Sequence, residues 1–347
     1  MTRRKKVVLA LGGALAIAAL AVFAWPRRPY PGPVPSDRSI PPLAAAESAA
    51  LVRHVSVLSA DSMEGRLVDT EGSARARRYI AQQFAAAGLE PIEMYERKFA
   101  LPGADSSRLR GDTTGYVPPH GTNVMGRILG LRVPDRYIVI TAHYDGLGVK
   151  DGQVYNGADD NASGVAALPV LAAWFARNPP AHSIVFVALD SEEDGLLGAK
   201  ELVRRPPVRG ASIAINVNLD MIGRSETGEL FVAGTRYQPR LLPLLRGVAR
   251  GALVKVRFGH DRPTLNPSDD WTESSDHAAF HEKGIPWLYF GVEDHPDYHQ
   301  PTDDAERVDP KFHADAVATI RAMVVALDRA LSGQVELPGP QDGKKGD

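Results

Sequence analysis

A chain of 347 residues, 44% hydrophobic and 24% charged, has the length and composition of a globular protein with a large core. Its net charge of −2 gives no electrostatic reason to expect nucleic acid or an anionic membrane surface as a partner. The absence of cysteine excludes disulfides and thiolate metal sites, so any metal must be held by His, Asp or Glu.

The chain opens with a cationic head, "MTRRKK", followed by "VVLALGGALAIAALAVFAW", 19 apolar residues without a charge. That run is long for a signal peptide and just long enough to span a bilayer. Residues 1–25 therefore read as a signal peptide, with a small-residue cleavage site at "AVFA", or as a retained membrane anchor. In both readings the basic head stays inside and the remainder is exported, to the periplasm or the outside. Contact with a membrane is expected only through this segment. Residues 26–42 ("PRRPYPGPVPSDRSIPP") read as a Pro-rich linker, residues 43–332 as the folded domain, and residues 333–347 are expected to be a flexible tail.

Within the domain, Leu51, Val52, Val55 and Leu58 mark one helical face. Tyr79, Ile80 and Phe84 mark a second, closed by Gly88. Strand-like runs follow from Thr122, Arg136, His182, Ser212, Leu253 and Ile285. Several are continuously apolar, as strands covered on both faces should be. A helix is expected after Asn161, kinked or interrupted at Pro169. The last helix, after Pro310, repeats Val317, Ile320, Val324, Leu327 and Leu331 at steps of three and four. This alternation predicts a three-layer α/β/α sandwich with a central mixed, mostly parallel sheet.

Acidic and imidazole residues sit where the strand-like runs end: His143 and Asp145, Asp159 and Asp160, Glu192 and Glu193, Asp220, Asp276 and His277, and His299. Loops beyond the carboxyl ends of such strands form the crevice in which α/β sheets bind ligands. Adjacent buried carboxylates repel one another, and a cation between them removes the difficulty. No G-x-S-x-G signature supports a serine triad.

The ordered pieces "AHYDGLG", "NGADDNASGVAAL", "LDSEEDGLLGAKEL", "NLDMIGR", "SSDHAAFHEKGIP" and "YHQPTDD" resemble the co-catalytic di-zinc exopeptidases. That group contains secreted bacterial aminopeptidases, glutamate carboxypeptidase and glutaminyl cyclases. The upstream stretch "LSADSMEGRLVDTEGSARARRYIAQQFAAAGLEP" is most similar to bacterial members, and the resemblance spans Leu51 to Leu331. It implies Glu193 and His299 on one zinc, His143 and Asp220 on the other, and Asp159 bridging both. Asp160 would support the loop, and Asp145 would accept the hydrogen bond from the other nitrogen of His143. Glu192 would be the general base acting on a bridging hydroxide, and Tyr298 a donor to the developing oxyanion. The N and O donor set suits Zn²⁺, with Mn²⁺ or Co²⁺ as substitutes.

The ligand set is complete without His277, and His182, His260, His281 and His295 read as surface or core histidines. Asp303 and Asp304 are expected to stabilise the loop carrying His299. The activity implied is that of a metallo-aminopeptidase acting on peptides. A glutaminyl-peptide cyclotransferase on the same fold and a non-catalytic binding homologue are the alternatives. Only some 30 residues separate Pro91 from Thr122, and some 55 separate Asp220 from Asp276. Neither gap has room for a protease-associated insertion or a lid-like dimerisation domain.

Overall fold

The computed structural model describes residues 39–102, 119–208, 212–264, 266 and 269–332. The basic head, the apolar run, most of the Pro-rich linker and the C-terminal tail lie outside the described residues. Among the described residues no helix is long and apolar enough to cross a membrane.

Ten strands and seven α-helices are described. In chain order they are α1 (Ala45–Leu58), α2 (Glu71–Ala86), β1 (Glu90–Ala100), β2 (His120–Ile128), β3 (Val133–His143), β4 (Gly148–Lys150), β5 (Gln153–Tyr155), α3 (Gly164–Arg177), β6 (His182–Leu189), α4 (Leu197–Arg204), β7 (Ser212–Leu219), β8 (Glu229–Ala233), α5 (Leu242–Ala249), β9 (Lys255–Phe258), α6 (His277–Glu282), β10 (Trp287–Gly291) and α7 (Pro310–Ser332). Eight of the strands make one sheet in the order β1-β2-β6-β3-β7-β10-β8-β9, while β4 and β5 form a separate hairpin. The four central strands, β6, β3, β7 and β10, run parallel; β2 and β8 flank them antiparallel. The sheet is mixed, with its parallel part at the centre.

Alternate residues of the central strands feed two different cores. Ile138, Ile140, Ile184, Phe186, Ile215, Val217, Leu288 and Phe290 pack with residues of α1, α2, α3, α5 and α7. Tyr137, Val139, Val185, Val187 and Leu189 pack with Ala199 and Leu202 of α4 and Ala279 and Phe280 of α6. Burial on both faces is why these strands lack a polar alternation. It also makes the molecule a three-layer α/β/α sandwich, thicker on one side.

Two sequence expectations need correction, and strand β1 was not foreseen. Helix α3 runs unbroken through Pro169, which costs a single backbone hydrogen bond while nearly every residue from Val165 to Ala172 is buried. Val52 is 44% exposed, and the buried face of α1 is Leu51, His54, Val55 and Leu58 instead. The stretch from Glu90 to Ala100 forms edge strand β1, irregular between Pro91 and Glu96. Proline and charge are the features tolerated at an edge, and they hid the strand from an apolar-run reading.

Parallel register aligns the carboxyl ends. His143 ends β3 opposite Leu189 of β6, and Asp220 directly follows Leu219 of β7, which pairs with Phe290 of β10. The loops leaving these ends carry the acidic motifs.

Candidate metal centre

The loop after β5 turns at Gly157, whose φ of +54° and lack of Cβ let it pass 2.1 Å, as a Cβ would see it, from the Asp160 carbonyl. The Asp303 carboxylate then accepts the backbone N–H of Asp159 (3.0 Å) and of Asp160 (3.0 Å). Asn161 reaches the Leu219 carbonyl at 2.9 Å and caps α3 by accepting the Gly164 N–H. The loop is thereby fastened both to the end of β7 and to the segment beyond His299.

This fastening sends the two adjacent aspartates in different directions. Asp159 accepts the Gly223 N–H on Oδ1 at 2.6 Å and faces His295 Nε2 with Oδ2 at 3.1 Å. Asp160 places Oδ1 3.3 Å from His143 Nε2 and Oδ2 3.1 Å from His299 Nε2. The geometry thus sets Asp160, and not the expected Asp159, between His143 and His299, while the oxygens of Asp159 are engaged by the Gly223 N–H and by His295. The remaining members fall on either side of Asp160. His143 Nε2 is also 3.3 Å from Asp220 Oδ1, and His299 Nε2 is 3.5 Å from Glu193 Oε2. Two donor groups result, His143–Asp160–Asp220 and Asp160–Glu193–His299, each with its ligand atoms within 4.8 Å of one another.

The charge in this crevice is out of balance. Asp145, Asp160, Glu192, Glu193, Asp220 and Asp276 face two histidines, His143 and His299, with the Arg66 guanidinium behind them. Burial pushes Glu193 up to about 7, with Asp160 and Asp145 adding to it and His143 opposing. Burial also raises Glu192 well above the usual carboxylate range, with Asp276, Asp220 and Asp145 reinforcing the shift against His143. Asp276 is raised likewise, and neither of its oxygens has a partner; nor has Glu193 Oε1. Burial opposes the charge of His143, but Asp220, Glu192 and Asp160 outweigh it and raise its pKa well above the ordinary value. Asp160 is held well below the carboxylate range, since its bonds to His143 and His299 overcome its burial. Protons retained on acids and histidines are what such a cluster holds when no cation balances it. Imidazole and carboxylate donors in two adjoining groups, with oxygens left unpartnered, fit divalent metal of the zinc type.

A profile of peptidase family M28 matches residues 123–324, more than half of the chain and the whole of this crevice. The chain belongs to peptidase family M28. A probable zinc metalloprotease of Pyrenophora tritici-repentis is 28% identical over 264 residues, 66% of this chain and 58% of the relative. Aminopeptidase YwaD of Bacillus subtilis is 31% identical over 195 residues, 52% of this chain and 40% of that protein. The chain thus spans well under two thirds of these relatives. Among solved structures, BSAP, a zinc aminopeptidase from Bacillus subtilis, shares the fold with a TM-score of 0.64 at 19% identity, covering 83% of this chain and 96% of that one. A glutaminyl cyclase from Bacteroides thetaiotaomicron, bound to N-acetylhistamine, does so with a TM-score of 0.61 at 16% identity, covering 83% and 99%. At these identities the likeness concerns the fold.

Several residues of the M28 domain take positions that sequence reading did not foresee. The Asp145 carboxylate accepts the backbone N–H of Glu192 (3.1 Å) and of Glu193 (3.2 Å). His143 Nδ1 lies nearer the Asp145 backbone oxygen, at 3.3 Å, than its carboxylate, at 3.7 Å. Asp145 is thus a clamp on the glutamate loop more than a partner for the imidazole. Glu192 belongs to neither donor group. The Tyr298 ring stacks on His299, with centroids 3.9 Å apart, and burial with Asp160 and Asp220 nearby keeps its hydroxyl protonated. His277 is turned away, its Nε2 bonding the Trp271 carbonyl at 2.7 Å, and burial lowers it to about 3. His295 is not a bystander, because it partners Asp159. Asp303 holds the Asp159–Asp160 loop, and Asp304 accepts from Asn156.

Arg66 and Asp190 were missed altogether. Asp190 accepts from Thr122 N, the Tyr144 hydroxyl and Ser191 N, and burial beside Asp145 pushes it up to about 7. Its place in "ALDSEE", two residues before Glu192, was the available signal. Left-handed backbone at Ser191, Met221 and His299 (φ 60°, 55° and 55°) marks three turns beside the crevice, in a region of φ that costs non-glycine residues on the order of 1 kcal/mol or more.

Proposed function

We propose that this M28 domain is a zinc-dependent aminopeptidase, removing residues from the N-termini of peptides with two zinc ions, and that Asp160 would help to hold both. The observation that carries the reading is the pair of donor groups joined by one carboxylate, with Glu192 beside them and in neither. His143 and Asp220 would hold one ion, and Glu193 and His299 the other. Zinc bound there supplies Lewis acidity toward the scissile carbonyl and makes water acidic enough to attack at neutral pH.

The chain's own residues do the rest. Glu192 Oε, in its carboxylate form, accepts the proton of the attacking water and returns it to the leaving amine. The Tyr298 hydroxyl, kept protonated, donates to the oxygen on which negative charge develops. Asp145 fixes Glu192 relative to Glu193 by holding both of their amides. The names of the relatives support an aminopeptidase, and the shared Asp160 supports two ions. The basic head and apolar run support action outside the cytosol.

The test is hydrolysis of a panel of aminoacyl p-nitroanilides by the purified chain, with zinc and after chelation. An N-glutaminyl peptide and an N-acetylated peptide are followed by mass in parallel. Zinc-dependent release of nitroaniline, with the acetylated peptide intact, is expected. Loss of ammonia from the glutaminyl peptide without cleavage would replace the reading with a cyclotransferase. Silence on all substrates with no zinc retained would replace it with a non-catalytic homologue.

A further inference from the structure

Arg66 is among the largest side chains the fold buries completely, with no residual exposure, and it lies outside the segment matched by the M28 profile. Its guanidinium makes four hydrogen bonds, all to backbone carbonyls. Nε donates to Tyr144 at 2.7 Å, Nη1 to Leu58 at 2.7 Å and Asn156 at 2.6 Å, and Nη2 to Gly157 at 2.9 Å. Tyr144 stands between His143 and Asp145, and Gly157 opens the loop that carries Asp160. One side chain thus ties the two loops on which the donor groups depend to the end of α1.

The backbone that presents Arg66 is itself unusual. Glu64, Gly65 and Arg66 are consecutively left-handed, at φ 51°, 62° and 54°. A Cβ at Gly65 would lie 2.5 Å from the Gly148 carbonyl and 2.7 Å from that of Tyr155, so the turn is wedged under the β4–β5 hairpin. Two strained non-glycine residues and a wholly buried charge are costs that ordinary packing does not require. Burial lowers the guanidinium's pKa, and the charges of Asp160, Asp303, Asp145 and Glu193 act against that shift. These are residues of the centre or of the loops that hold it.

We infer that Arg66 is a positioning residue for the metal centre, fixing the His143 and Asp160 loops and setting one permanent positive charge behind the carboxylates that face the ions. A planar five-donor fork can span four divergent carbonyls, which a lysine ammonium cannot. The inference rests on the two-ion reading above. The bonds go to backbone, so Arg66 acts through the loops and touches neither ion nor substrate.

The experiment compares full-length wild type, Arg66→Met and Arg66→Lys. Far-UV circular dichroism reports folding, competition with a chromogenic chelator reports zinc affinity, and nitroanilide kinetics report kcat and KM. Zinc binding about 10-fold or more weaker is expected in Arg66→Met, in the range found when groups supporting a metal ligand are removed. Its kcat should fall by more than its KM rises, and Arg66→Lys should lie between it and wild type. Folded variants with wild-type zinc affinity and kcat would overturn the inference and leave Arg66 as a structural staple. If Arg66→Met does not fold, Arg66→Lys decides alone, and undiminished zinc affinity in it overturns the inference. Wild type that holds no zinc would instead bring down the two-ion reading itself.

Discussion

The two ends of the central parallel strands hold the same chemical groups in opposite conditions. At the amino ends, His182 and Asp328 are both buried, and the carboxylate is fully engaged. Asp328 accepts the N–H of Ala181 and of His182 at 2.8 Å each and contacts His182 Nδ1 at 2.8 Å. At the carboxyl ends, six carboxylates meet two histidines and one guanidinium, that of Arg66, and oxygens of Glu193 and Asp276 are left without a partner. Burial is common to both. What differs is stoichiometry: one end is closed by its own hydrogen bonds, the other is completed only by something positive.

The sharpest way to break this comparison is to remove one carboxylate from each end. Asp160→Asn takes away the charge both donor groups share, so zinc affinity should fall by at least about 100-fold, and activity with it. Zinc content by mass spectrometry and nitroanilide turnover check this. Asp328→Ala should leave activity within a few-fold of wild type. It leaves two buried backbone N–H groups unanswered, and urea denaturation should show a loss of roughly 3 kcal/mol. An Asp160→Asn protein that keeps its zinc would end the distinction between the two ends.

Within the carboxyl-end cluster, Glu192 and Glu193 are set apart by geometry alone. Glu192→Gln should lower kcat by about 10²–10⁴ while zinc content stays at the wild-type level. Zinc lost together with activity would instead make Glu192 a ligand.

How far the sequence could be read follows from the same geometry. The central strands and α7 were legible because burial on both faces, or on one stripe, writes itself into consecutive residues. That His143, Glu193, Asp220 and His299 would gather in one crevice was legible because they stand at strand ends within recognisable motifs. The choice between Asp159 and Asp160 was not. Which of two adjacent side chains points inward depends on the Gly157 turn and on Asp303, 144 positions beyond Asp159 in the chain. Arg66 was invisible for a related reason: an arginine in a polar stretch reads as surface, and only the fold shows four carbonyls converging on it. Strand β1 was hidden because an edge is not required to be apolar.

The other aspartate gives a smaller test. Asp159→Asn keeps an acceptor for the Gly223 N–H and loses only its charge toward His295. Zinc affinity should drop roughly 10-fold, well short of the Asp160→Asn loss. The reverse order would restore Asp159 as the shared ligand.

The last test concerns stability alone, through histidines that burial holds neutral. His313 Nε2 donates to the Ser163 carbonyl at 3.0 Å, and burial lowers its pKa from 6.5 to about 4. His54 is lowered to about 4 as well, by burial first and then by Arg53. Both stay neutral in the folded chain at pH values where the unfolded chain has already taken up a proton. Between pH 6.5 and 4 the unfolded state therefore binds more protons, and stability falls as pH falls through that window. At pH 4.5 each histidine costs at most about 2–3 kcal/mol relative to neutral pH. His313→Gln keeps a donor for the Ser163 carbonyl and cannot be protonated. In chelator, urea denaturation at pH 7 and 4.5 should show the variant losing less stability on acidification than wild type, by up to that amount. Equal losses would mean that His313 is protonated in the fold, and that burial against a carbonyl partner does not hold its imidazole neutral.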